Sequence, residues 1–226
     1  MDNVESLMKT LTNLILNQKN NGSPLVVGIN GIDTSGKTMF SKKLKKHLQD
    51  MDCEVQIIHI DDFHNPKSIR YYGDDEVYNY FYKSFEYNRL ISEILDPIKF
   101  EKKLFKKYMA LNLETDKYDL ERTYKVTSNT IVILEGVFIL REEVRGFLDF
   151  SIFIYVPFEI VKERAIKRDV PKFGEEILEK YDKKYIPTQK KYLEMFPPEI
   201  LADIIIDNQD WNNPMIVKVN DTKKSF

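Results

Sequence analysis

The sequence predicts an α/β fold of three layers, a five-stranded parallel sheet with helices on both faces, and three observations predict it. Five short runs, LVVGIN, EVQIIHI, TIVILEG, FSIFIYV and ADIIIDN, are apolar and largely β-branched, the pattern of strands buried on both sides. Segments with apolar residues at helical spacing lie between them, so successive strands join by crossovers and run parallel. The chain has 226 residues, 42% hydrophobic and 31% charged, which suits one globular domain with or without a small appendage.

Residues 1–20 carry Val4, Leu7, Met8, Leu11, Leu14 and Ile15 at helical spacing, and the pattern ends near NQKNNGSP. This is an N-terminal amphipathic helix whose stripe reads as packing surface. Residues 25–30 form the first buried strand. A helix follows from Gly36 to about Met51, with Phe40, Leu44, Leu48 and Met51 on one face and most lysines of SKKLKKH between them. That charge run reads as a solvated helix face, not a nucleic-acid patch. After the second strand, helical patterns around residues 78–95, 141–147 and 158–170 separate the others. Residues 97–126 are rich in Lys and Tyr and break the rhythm. They read as an insertion of irregular or antiparallel structure beside the sheet.

Composition excludes several classes of function. Net charge is −2 with both signs interspersed, so no long-range field points to nucleic acid or an anionic membrane. Cys53 is the only cysteine, which excludes an internal disulfide and a cysteine-rich metal site and fits a reducing compartment. No apolar run approaches the roughly 18 residues of a membrane span, and MDNVESLMKT lacks the form of a signal peptide. A soluble, cytoplasmic protein is expected.

Chemistry enters with GINGIDTSGKTMF, directly after the first strand. Gly31, Gly36, Lys37 and Thr38 match the phosphate-loop pattern G-x-x-x-x-G-K-[ST], between a buried strand and a helix as its mechanism requires. Such a loop turns its backbone N–H groups inward, and the helix N-terminus adds partial positive charge. The residues expected to cradle ATP are Gly31, Ile32, Asp33, Thr34, Ser35, Gly36, Lys37, Thr38 and Met39. Lys37 would reach the β- and γ-phosphates, and the Thr38 hydroxyl would face Mg²⁺.

Acids at the carboxyl ends of other strands decide the fate of the phosphate, because ligands of open α/β sheets collect there. IIHIDDF ends in Asp61-Asp62 and IVILEG ends near Glu135. Asp61 is assigned as the base that accepts the proton of an attacking hydroxyl, and Glu135 as the Mg²⁺ partner, with Asp61 also facing the ion. Asp62 reads equally as a cap in a turn or as a substrate contact. Arg164, Lys167 and Arg168 stand at i, i+3 and i+4, one cationic stripe that could close over the phosphates and exclude water. His64, Arg70 and Tyr71 join Asp62 as candidate substrate contacts, beside an aromatic-rich stretch suited to a stacked ring. His47 and His59 read as structural.

GIDTSGKT, HIDDF, ILEG, RAIKRD and ADIIIDN, in this order and spacing, resemble the uridine kinase and phosphoribulokinase-like group of P-loop kinases over residues 26–208. The resemblance implies the P-loop NTPase fold and a Mg²⁺- and ATP-dependent kinase acting on a small-molecule hydroxyl. It implies Asp61 as the catalytic aspartate, Glu135 as the acid after the third strand, Arg164 and Arg168 as lid arginines within a lid region of residues 164–198, and a loop near the adenine after ADIII. Uridine kinases typically read Gln-Asp-Ser after the second strand, whereas this chain has Ile60-Asp61-Asp62-Phe63, closer to nicotinamide riboside kinases. The 5'-hydroxyl of a nucleoside is the first expectation for the acceptor. Nicotinamide riboside, pantothenate or a sugar phosphate are alternatives, and a nucleotide-dependent regulatory protein is the competing class. No Asn-Lys-x-Asp guanine reader occurs.

Overall fold

The structure, a computed structural model, describes residues 3–220. Helix α1 (Asn3–Leu16) buries Leu7, Met8, Leu11 and Ile15, the predicted apolar stripe. Strand β1 (Leu25–Gly31) is buried at every position. It leads into α2 (Lys37–Gln49), which turns Phe40, Leu44 and Leu48 inward and leaves most of its lysines outside. Next come β2 (Val55–His59), a single turn over Ile60–Phe63, and α3 (Glu76–Lys83). Asp75 caps α3 by accepting from the Tyr78 N–H at 2.8 Å.

The helical pattern expected through residues 78–95 is interrupted after α3. There the chain leaves the helix to pair with the segment after β2: Asn65 N–H donates to Ser84 O at 2.9 Å and Glu86 N–H to Phe63 O at 2.8 Å. Helix resumes at Tyr87–Leu90 and continues as wider π-type turns over Ile91–Leu95 and Pro97–Glu101. The rest of the expected insertion is a hairpin, β3 (Leu104–Asn112) and β4 (Lys117–Val126), paired antiparallel as a separate two-stranded sheet. Its Tyr108 and Tyr124 rings pack on Phe63, with centroids 4.7 and 6.4 Å away.

The central sheet is completed by β5 (Ile131–Gly136), β6 (Phe150–Tyr155), β7 (Ile204–Asp207) and β8 (Met215–Val219). Between β6 and β7 lie α4 (Phe158–Arg168) and α5 (Ile186–Met195). The segment expected as a helix over 141–147 holds only one helical turn, Glu142–Arg145. Strand order is β2-β5-β1-β6-β7-β8. The sheet therefore has six strands where five were expected. The five read from sequence are parallel, and β8 pairs antiparallel with β7 at the edge. MIVKV in β8 is exposed at four of its five positions, so it carries none of the burial that betrays the others.

Side chains of alternate residues divide the core between the two faces of the sheet. Val27, Ile29, Ile131, Ile133, Ile152 and Ile154 join α1 and α2 on one face. Val26, Val132, Leu134 and Phe153 face the opposite layer, which includes Phe63, Phe81, Tyr108 and Tyr192. Strand order runs outward both ways from β1, placing a crevice at its carboxyl end.

Candidate active site

The loop leaving β1 is shaped by close approaches that exclude side chains. A Cβ on Gly31 would lie 2.6 Å from Ile154 O and 2.7 Å from Ser35 Oγ. At Gly36, φ is +95° and a Cβ would meet Asn208 Nδ2 at 2.8 Å, so both positions require glycine. Thr34 also lies in the left-handed region, with φ 56°. Lys37 is the first residue of α2 and only 9% exposed, and its Nζ donates to Ile32 O at 2.8 Å. Burial pushes the Lys37 ammonium below its usual range, against the opposing pull of Asp33, Glu135 and Asp61. Ser35 Oγ is buried with no hydrogen-bond partner.

Distant segments hold this loop in place. Asn208, just after β7, donates to Ser35 O at 2.7 Å. Arg164 of α4 donates to Thr34 O at 3.1 Å, Asn208 O at 2.6 Å and Gln209 O at 3.1 Å, with its guanidinium 5.5 Å from the Trp211 ring. On the other side, the Asp33 N–H donates to Gln189 Oε1 at 2.8 Å, and its carboxylate accepts from Gln189 and from Tyr80 Oη at 3.1 Å. Burial raises the Asp33 pKa, opposed by Lys37 and these donors. Asn208 and Gln189 went unassigned in the sequence because their partners, Ser35 and Asp33, lie more than 100 residues away, and Trp211 because its partner Arg164 lies on another element.

Two cavities meet at the loop. The larger, of about 670 Å³, is lined by Thr34, Gly36, Lys37, Thr38 and Met39, by Arg164, Lys167 and Arg168, and by Trp211, with Val4 and Met8 of α1 closing one side. The smaller, of about 300 Å³, contains Asp33, Asp61, His64, Arg70, Tyr71 and Glu135. Thr34, Lys37, Thr38 and Arg168 line both. Gly31, Ile32 and Ser35 support the loop from beneath. Ile32 is 3% exposed and offers only its carbonyl to Lys37.

The acids sit where β2 and β5 end side by side, with His59 and Glu135 in register. Glu135 Oε1 accepts from Thr38 Oγ1 at 2.9 Å and contacts His59 Nδ1 at 2.5 Å. The hydrogen bond to Glu135 raises the His59 pKa. Burial works to raise Glu135, but His59, Lys37 and Thr38 outweigh it and hold the carboxyl below its usual range. His59, read from sequence as structural, is thus joined to the acid at the crevice.

Asp61 lies in the turn after β2 and opens to cleft water, although protein surrounds it. That crowding, followed by the charge of Glu135, raises its carboxyl to about 6, against Lys37. Asp62, read from sequence equally as a turn residue or a substrate contact, is 7% exposed, accepts from Arg122 Nε and Tyr124 Oη at 2.8 Å each, and ties the turn to β4. His64 stacks on Phe85 at 4.5 Å, and burial, with Arg70 nearby, lowers its pKa to about 3, so the ring is neutral. Arg168 is held by Asp169 at 2.7 and 2.9 Å and by Tyr181 Oη at 3.2 Å. With Lys37, it is one of two cations that line both cavities.

Thr38 Oγ1 and Glu135 present a pair of hard oxygens beside Lys37, a donor set that fits Mg²⁺. No group of three or more His, Cys, Asp or Glu able to hold a metal occurs among the described residues. This also fits an ion held mainly by nucleotide phosphates and water. No helix of the described residues is long and apolar enough to cross a membrane.

The chain is similar to known proteins. The uridine kinase of Escherichia fergusonii is 28% identical over 192 residues, spanning 80% of this chain and 86% of its own. The structure of a possible uridine kinase from Bacillus stearothermophilus superimposes with a TM-score of 0.69 at 25% identity, over 90% of this chain and 97% of that one. D-glycerate 3-kinase from Cryptococcus neoformans shares the fold at 14% identity, with a TM-score of 0.66 over 95% of this chain and 98% of its own. The sequence model of the phosphoribulokinase / uridine kinase family matches residues 26–212. The chain belongs to that family and is a phosphotransferase with a hydroxyl acceptor.

Proposed function

We propose that the larger cavity binds ATP, that the smaller binds the acceptor, and that the γ-phosphate passes between them at Lys37. The observation that carries this reading is the shared lining: Lys37, Thr38 and Arg168 border both cavities, with Asp61 opening into the second. The loop from Gly31 to Met39 holds the phosphates through its backbone N–H groups and the start of α2. Lys37 leaves Ile32 O to meet the triphosphate. Thr38 and Glu135, with Asp61 nearby, face Mg²⁺, which when bound neutralises phosphate charge. Arg164 steadies the loop and Arg168 meets charge that develops during transfer, both as parts of a lid over residues 164–198.

Asp61 takes the acceptor's hydroxyl proton as the oxygen attacks. A carboxyl raised toward neutrality suits a base, because it holds an accepted proton more tightly than an ordinary aspartate yet is still ionised at neutral pH. Positioning and charge stabilisation supply most of the remaining acceleration. The relatives named uridine kinase and the tyrosines of the second cavity support a nucleoside 5'-hydroxyl as acceptor. The test is ADP release by purified protein with ATP, Mg²⁺ and a panel of hydroxyl compounds. Acceptor-dependent release that disappears in Lys37→Ala is expected, whereas ATP turnover indifferent to every acceptor would leave only a nucleotide-dependent regulatory protein.

A further inference from the structure

The second cavity contains a cation that no described residue meets with a side-chain hydrogen bond or ion pair. Lys184 lies in the π-type turn Tyr181–Tyr185, is 7% exposed and lines the cavity. Such turns often mark functional positions. No hydrogen bond or ion pair is formed by its ammonium; around it stand the rings of Tyr71, Tyr80 and Tyr185, with centroids 4.7, 5.6 and 5.6 Å from Nζ. Rings attract a cation but accept none of its three N–H donors in a conventional hydrogen bond.

A second cation shares the Tyr71 ring. The Arg70 guanidinium lies 5.2 Å from its centroid, fixed by Nε donating to Asn65 O at 2.6 Å. Asp116 stands 3.6 Å from Arg70 Nη2, a long contact that leaves donors free, and Glu76 acts on Lys184 only through space. Burial and then Arg70, behind Glu76's opposing pull, depress the Lys184 pKa. Two like charges beside one ring in a partly dry pocket are costly until an anion lies between them. Of the acids of the cavity, Asp33, Asp61 and Glu135 belong to the Lys37 group, since they and Arg168 are the charges that act on Lys37, and Asp169 is paired with Arg168 and Tyr181; none acts on Lys184.

Resting on the kinase reading above, we infer that Lys184 and Arg70 bind an anionic group, carboxylate or phosphate, on the acceptor, leaving its hydroxyl toward Asp61. The acceptor class is then a hydroxy acid or a sugar phosphate, which takes the place of the neutral nucleoside that the relatives' names support; the kinase reading itself is kept.

The experiment uses protein saturated with a non-hydrolysable ATP analogue and Mg²⁺, so that anions cannot occupy the phosphate loop. D-Glycerate, ribose 5-phosphate, ribose and uridine are added in turn, and the melting temperature is read. One of the two anions is expected to raise it and neither neutral compound to do so; which anion succeeds distinguishes carboxylate from phosphate. Lys184→Met is expected to weaken that anion about 10- to 100-fold, the loss of a charge-assisted bond. Lys184→Arg should retain binding. The proposal is overturned if neither anion shifts the wild type, if Lys184→Met responds equally, or if uridine binds as well as the anions do. ADP release with ATP in place of the analogue separates the two readings. Phosphorylation of uridine equally by wild type and Lys184→Met would remove the anion site and leave the kinase. Anion binding through Lys184 without any acceptor-dependent ADP release would remove the kinase reading and leave the site.

Discussion

The two cavities beside Lys37 are built on opposite plans. On the side proposed for the nucleotide, the loop is one continuous stretch, Gly31 to Met39, shaped by close approaches that only glycine allows at Gly31 and Gly36, while α1, α4 and Trp211 complete the cavity around it. The acceptor side is assembled from side chains on separate segments: Asp61 and His64 after β2, Arg70 and Tyr71, Tyr80 of α3, and Lys184 before α5. A backbone cradle reads phosphate, a group common to all nucleotides. Side-chain walls read the acceptor, and they can change without moving the cradle. One fold can therefore serve many acceptors.

That contrast is broken most sharply at the group both sides share. Lys37→Ala is expected to cut kcat/KM by about 10³-fold, since it removes a buried cation facing the transferring phosphate. ATP affinity should fall with it. Its structural roles are a bond to Ile32 O and the charge that offsets Asp33, Glu135 and Asp61, so the melting temperature should fall as well. Steady-state kinetics and calorimetric ATP titration check both points; unimpaired nucleotide binding would remove Lys37 from the cradle.

Asp61→Asn separates the sides. We expect kcat to fall about 10²-fold or more while ATP affinity holds, because the substitution removes the base and leaves the loop. In wild type, kcat/KM should rise with pH through about 6 as Asp61 ionises, and this limb should vanish in the variant. An unchanged limb would assign it to another group.

Stability distinguishes backbone from side chain. Gly31→Ala places a Cβ 2.6 Å from Ile154 O, a backbone atom that cannot yield easily. A loss of about 1–3 kcal/mol is expected, or roughly 2–4 °C in melting temperature per kcal/mol for a chain of this size. Tyr71→Phe, on a residue 52% exposed, should stay within about 0.5 kcal/mol. Equal losses in the two would refute the contrast.

The same contrast governs what could be read from sequence. The cradle and its flanking β1 and α2 were legible because loop, strand and helix are contiguous, and each leaves a local pattern. The five parallel strands were legible because burial on both faces demands apolar runs. β8 was not, since MIVKV lies exposed on the edge. The break after α3 depends on pairing between residues 84–86 and 63–65, which no helical period records. The partners of Asp62 and His59 were not legible for a related reason: Arg122, Tyr124 and Glu135 all lie more than 50 residues away. Lys184, one lysine among many in EKYDKKY, acquires meaning only when the fold surrounds it with three tyrosines.

The smallest effect concerns what the acceptor side costs the fold. Asp61 has a folded-state pKa of about 6, raised from 3.8. A carboxyl raised in this way binds its proton more tightly in the folded state than in the unfolded chain, so ionisation favours unfolding. The penalty is absent below about pH 3.8, grows between there and pH 6, and is complete above. Asp61→Asn should therefore stabilise the protein at pH 7 and make no difference at pH 3.5. Because Asp61 meets cleft water, screening holds the gain to the order of 1 kcal/mol, roughly 2–4 °C. Melting curves of both proteins across this range decide it. A gain that persists at pH 3.5 would locate the effect in packing, whereas a gain confined to higher pH would show stability given up to keep a base near neutrality.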